Sequence, residues 1–62
     1  MKRNLLLKGL KENNCVLHRE GSDHSIFINL SNGKKAPVPR HADIIEVIVF
    51  RICKQLGIPK IR

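Results

Sequence analysis

Reactive side chains gather first in REGSDHSIFIN, residues 19–29, where Gly21, Ser22, Asp23 and His24 follow one another between apolar runs. A plain hairpin would need only a turn there. An imidazole titrates near neutral pH and serves as a general acid or base, so His24 is the candidate proton carrier. Gly21 would let a phosphodiester approach the backbone closely, and Ser22 offers a hydroxyl to a phosphate oxygen. The competing reading is structural: a half-buried ring whose nitrogens are held by the turn backbone, the commoner fate of a lone histidine. A Ser-His-Asp triad from Ser22, Asp23 and His24 is disfavoured, because neighbours on an extended segment point to alternate faces.

A metal site is the next chemistry to weigh. His18, His24, His41, Cys15 and Cys53 are the candidate ligands, but only Cys15 and His18 have a ligand-like spacing. A structural zinc needs four converging ligands, so no metal and no cofactor are expected. Lys34, Lys35, Arg40 and His41 form a basic cluster, and Arg19 leads into the Gly-Ser turn. These residues either keep a sheet edge from aggregating or contact phosphates, and both roles can hold.

The elements that must position these groups can be read from periodicity. From Lys2 to about Glu12, Leu6, Leu7 and Leu10 share one helical face, with Leu5 to the side and Lys8 and Lys11 outside it. Asn13 and Asn14 end that helix, since Asn tolerates a left-handed backbone. CVLHRE, residues 15–20, reads as a short strand. HSIFINL, residues 24–30, alternates, with Ile26, Ile28 and Leu30 on one face and Ser25, Phe27 and Asn29 on the other.

Ser31, Asn32 and Gly33 signal a hairpin. KKAPVP after it can only be an edge strand, because Pro37 and Pro39 donate no ladder bonds. HSIFINL is therefore central. DIIEVIVFRIC is predicted to be helical: Ile45, Ile48, Val49, Ile52, Cys53 and Leu56 gather on one side. Asp43 and Glu46 have capping-box spacing, and Gly57 before Pro59 is a stop. The order helix, three strands, helix predicts an α+β fold, one antiparallel sheet with both helices on one face.

Sixty-two residues suffice for a single domain, 1–62, and no more. A chain of this size buries only about 60% of its unfolded surface, so its core will be marginal. Phe27 and Phe50 are its only aromatics, which leaves the core to Leu, Ile and Val. Lys8 interrupts the leucines of MKRNLLLKGL too early for a signal peptide, and nothing approaches a membrane span. A cytosolic protein is expected, with Cys15 and Cys53 reduced and buried. The net charge of +7, twelve Lys and Arg against five Asp and Glu, suits an anionic polymer such as RNA or DNA.

In combination, HREGSDHSIFIN, NGKKAPVPRH and ICKQLGIP resemble the HicA family, the toxins of bacterial HicA–HicB toxin–antitoxin pairs. The likeness also takes in the LLKGL helix and the CVLHRE strand, nearly the whole chain. The resemblance implies an α-β-β-β-α fold like that of double-stranded-RNA-binding domains. It also implies mRNA interferase activity, cleavage of mRNA without a metal, and a HicB-like antitoxin as partner. The family's catalytic histidine falls on His24, and His41 matches the family pattern without a defined role.

RNA supplies its own nucleophile, the 2′-hydroxyl. The protein must take its proton, stabilise the phosphorane and protonate the leaving oxygen. His24 is assigned the proton transfer, and Lys35 or Arg40 the charge. Gly21, Ser22, Arg19, Lys34 and His41 complete the expected RNA contacts. Val47 and Phe50 depart from the polar outer face expected of the last helix. They predict an interface with the antitoxin or with a second copy, unless the helix is rotated and they are core. A non-catalytic RNA-binding module of the same fold, with His24 structural, is the alternative function.

Overall fold

Leucine spacing sets the first element. In a computed structural model describing residues 1–61, α1 spans Arg3–Glu12 and buries Leu6 and Leu10, with Leu7 half-buried and Leu5 exposed. Asn14 follows it with φ of 65°, the left-handed ending that Asn accepts. Strands β1 (Cys15–Glu20), β2 (His24–Asn29) and β3 (Lys35–Pro39) form one antiparallel sheet in the order β1-β2-β3. Helix α2 spans Glu46–Leu56. The expected α+β architecture is therefore present, with β2 central and the proline-bearing β3 at an edge.

Ser25, Phe27 and Asn29 are the buried row of β2, while Ile26 and Ile28 are only half-buried on the other. The polar members of the buried row are satisfied by the helices. Ser25 accepts a hydrogen bond from Arg3 of α1, and Asn29 donates to the Leu56 carbonyl of α2 at 2.9 Å. Both helices thus lie on one face of the sheet. Between them and the sheet sits a core of Leu6, Leu10, Phe27, Val38, Val49, Ile52 and Leu56, with Cys15 and Cys53 as buried thiols. Leu30 lies beyond the strand and is exposed, which corrects its expected place beside Ile26 and Ile28.

The second helix begins later than its capping-box spacing suggests. Residues 42–44 are held extended against the amino terminus: Arg3 N–H donates to the Ala42 carbonyl, and Ile44 N–H to the Met1 carbonyl, both at 2.8 Å. Asp43 is drawn to Lys2, 3.2 Å away, and caps nothing. Ile45 becomes the extended N-cap residue and is 67% exposed, not core, while Ile44 takes the buried place. Val47 and Phe50 are 57% and 56% exposed, so the helix is not rotated to bury them.

Gly57 ends α2 with φ of 71°, a left-handed position where a side chain is strained. The β2–β3 connection closes over this helix end. Asn29 and Asn32 both donate to the Leu56 carbonyl, and Ser31 N–H donates to Asn29 Oδ1. Only Gly33 in that turn has positive φ, so the Asn-Gly pair is part of a longer loop and not a two-residue hairpin turn. Replacing Asn29 with Ala removes two hydrogen bonds, one of the two side-chain donors to the Leu56 carbonyl and the acceptor of the Ser31 N–H, and is expected to cost about 1–3 kcal/mol. A chain this small holds only about 3–5 kcal/mol in its core, so urea unfolding should show a large drop in midpoint.

Candidate active site

The loop joining β1 to β2 is shaped by its own backbone. Gly21 N–H donates to the His24 carbonyl at 2.8 Å, and a Cβ on Gly21 would sit 2.8 Å from that same oxygen. Glycine is needed here for closeness of approach. The turn leaves the carbonyls of Gly21, Ser22 and His24 converging, and the Arg40 guanidinium donates to all three. The same guanidinium binds Glu20 Oε1 at 2.8 Å. Glu20 Oε1 also accepts from the buried Ser25 hydroxyl at 2.8 Å, and Ser25 in turn accepts from Arg3. Arg3 donates as well to the Pro39 carbonyl at 2.8 Å. A polar chain thus runs from α1 through the sheet to the loop before His24.

Hydrogen bonds from Arg40 first, and then from Ser25, hold the Glu20 carboxyl below its ordinary pKa. Burial, with the Cys53 thiol as a lesser cause, raises that of Cys15, which keeps this thiol protonated and inert.

His24 stands at the end of β2 opposite Pro39, on the sheet face turned away from the core. Its ring is exposed and, among the described residues, neither nitrogen has a hydrogen-bond partner. Two shallow clefts meet at it. The outer one, about 220 Å³, is lined by Arg19, Gly21, Ser22, Asp23, Ile26 and Pro37. The other, about 190 Å³, lies against α2 and is lined by Pro37, Pro39, Ile48, Arg51, Ile52 and Gln55.

The fold therefore brings Arg19, Gly21 and Ser22 to His24. It does so for Arg19 through a bulge: Leu17 pairs with Phe27 and Arg19 with Ile26, so His18 is passed over. His41 lies in an adjoining cleft with Asp43, Ile44 and Ile45, which shares Pro39 and Ile48 with the cleft against α2. Lys35 pairs with Ile28, four positions along β2 from His24, roughly 13 Å at strand rise. Lys34 lies farther along still, in the β2–β3 connection. Arg40 is committed to the loop it holds. Val47 and Phe50 line a separate groove on α2, about 240 Å³, with Arg51 and Lys54.

Glu20, Arg3 and Arg51 are absent from the residues the sequence picks out. Nothing in their spacing marks the first two, because their meeting depends on the bulge and on the extended 42–44 segment. Arg51 shares a cleft with His24 only because α2 runs beside β3. Among the described residues, no group of three or more His, Cys, Asp and Glu side chains is placed to hold a metal ion.

Glu20 gives the site a pH signature. Its pKa is lowered on folding, so its ionised form stabilises the fold above the unfolded carboxyl value of about 4.3. That contribution fades as pH falls through the lowered value. Glu20→Gln is expected to lower the melting temperature at pH 7, with the gap to the parent protein closing as melting is repeated towards pH 3.

A family model of the HicA toxins of bacterial toxin–antitoxin systems matches residues 5–58. Comparison with curated proteins and with solved structures yields no match. The matched span runs from α1 through the loop, His24 and the sheet to the end of α2. The chain therefore belongs to the HicA toxin family, whose members act within toxin–antitoxin pairs.

Proposed function

We propose that the protein is a metal-independent endoribonuclease that cleaves mRNA in the cytoplasm and so blocks translation and growth when its antitoxin is absent. The observation that carries this reading is the imidazole of His24, exposed where two clefts meet and with both nitrogens open among the described residues. A histidine kept for structure would have its nitrogens engaged. Neutral His24 takes the proton of the ribose 2′-hydroxyl. The 2′-oxygen bonds to phosphorus as the bond from phosphorus to the 5′-oxygen breaks. That oxygen leaves with a proton from the imidazolium or from water, giving a 2′,3′-cyclic phosphate and a 5′-hydroxyl.

Arg19 and Ser22 hold a phosphate next to the scissile one, in the outer cleft, where the Gly21 backbone comes close. Lys34, Lys35 and His41 take phosphates farther along the strand. Arg40 serves the same RNA indirectly, by fixing the loop. With a net charge of +7, binding will weaken steeply as salt is raised.

The antitoxin is assigned to the exposed surface of α2 around Val47 and Phe50. Basic Arg51 and Lys54 flank that groove, so an acidic surface with an apolar tip complements it. A partner seated there borders the His24 cleft through Arg51, which lines both.

His24→Ala is expected to slow cleavage of a defined RNA by about 100- to 10,000-fold, measured with chelator present, and to abolish growth arrest. Retained cleavage by this variant would remove the assignment. A parent protein that binds RNA and leaves it intact would be a binding module. The doubly substituted Val47→Asp, Phe50→Asp protein should still cut RNA but bind the antitoxin at least tenfold more weakly. Unchanged antitoxin affinity, with self-association lost instead, would move this surface to a contact between two copies.

A further inference from the structure

Two arginines line the clefts that meet at His24 and have no ion pair among the described residues: Arg19 in the outer cleft and Arg51 in the groove against α2. Their surroundings differ. Asp23 lines the outer cleft beside Arg19, whereas among the described residues no carboxylate lines the groove that holds Arg51. Pro37, Pro39, Ile48 and Ile52 give that groove an apolar wall, where a charge is screened less than in open water. At about 190 Å³ it has the volume of about six waters, enough for a phosphate group.

The other cations near the sheet are spent or distant. Arg40 binds Glu20 and three loop carbonyls, and Arg3 binds Ser25 and the Pro39 carbonyl. Lys35 sits four residues along β3 from Pro39, the residue opposite His24. A phosphodiester carries one negative charge and its phosphorane carries two, so the reaction needs a free cation beside the imidazole.

We propose that Arg51 is a catalytic residue of the His24 site, its guanidinium fork binding the non-bridging oxygens of the scissile RNA phosphate and taking up the charge that builds there. The inference rests on RNA cleavage by His24. The planar fork suits two phosphate oxygens at once, which a lysine ammonium cannot match. Attack from the 2′-oxygen places the phosphorus between the imidazole, which accepts the proton, and the guanidinium, which binds the oxygens. Arg51 moves no proton.

The test uses the full chain freed from its antitoxin, in single-turnover cleavage of an RNA oligonucleotide. Binding is measured separately on the same oligonucleotide with a 2′-deoxy residue at the cleavage point. Arg51→Gln is expected to slow the chemical step by about 100- to 1,000-fold, as loss of one preorganised oxyanion donor does. Its affinity for the uncleavable RNA should fall less than tenfold, and Arg51→Lys should recover part of the rate. Lys8→Gln, which removes the same charge from the exposed side of α1, should cut at the parent rate. Circular dichroism melting checks that each variant is folded.

If the parent cleaves in a His24-dependent way and Arg51→Gln keeps its rate within about threefold, Arg51 is not catalytic and the nuclease reading stands. If Arg51→Gln loses rate and affinity equally, the residue only binds RNA and the inference also fails. A parent protein that leaves RNA intact overturns both.

Discussion

The contact between Arg40 and the loop ahead of His24 is the constraint on which the rest of the site depends. Three backbone carbonyls turned to one point repel each other, and no backbone N–H in a turn so short can serve them all. A guanidinium, with five donors in one plane, satisfies them together and still reaches Glu20. Such a pair in water stabilises a protein very little by itself. Here it is joined to Ser25 and through it to Arg3, so the first helix, all three strands and the loop share one hydrogen-bonded frame. His24 follows directly from that frame, which is why its ring can be exposed and yet have a fixed backbone position.

The sheet divides its labour by face. Ser25, Phe27 and Asn29 look to the helices, and the row His24, Ile26, Ile28 looks away. The exposed imidazole of His24 therefore need not share space with the core, and a small, marginal core is not further weakened by holding it. α2 belongs to both sides. Val49, Ile52, Cys53 and Leu56 anchor it inside, while Arg51 and Gln55 project over the edge of β3 towards the outer row. One short helix thus carries core, cleft wall and exposed apolar surface.

Much of this could be read from the chain before folding. Regular spacing told the helices from the strands, the two prolines put β3 at the edge, and the alternation of HSIFIN separated its faces. What escaped depended on contacts distant in sequence. The bulge at His18 changes which side Arg19 and Glu20 occupy, and no local signal announces it. Asp43 looked like a cap because its spacing from Glu46 fits, but the amino-terminal residues compete for that segment and win. Gly21 has a further need that no local signal announces, the closeness of the His24 carbonyl. The hold of Arg40 on the loop was equally hidden, because its partners, Glu20 and the loop, lie about twenty residues before it in the chain.

The prolines of β3 have one more implication. Pro37 and Pro39 lack the amide protons that a newcomer's strand would bond, so along this edge no stranger can zip onto the main chain. A molecule that binds beside His24 then has to be held chiefly by side chains, because this stretch of edge offers it few main-chain donors.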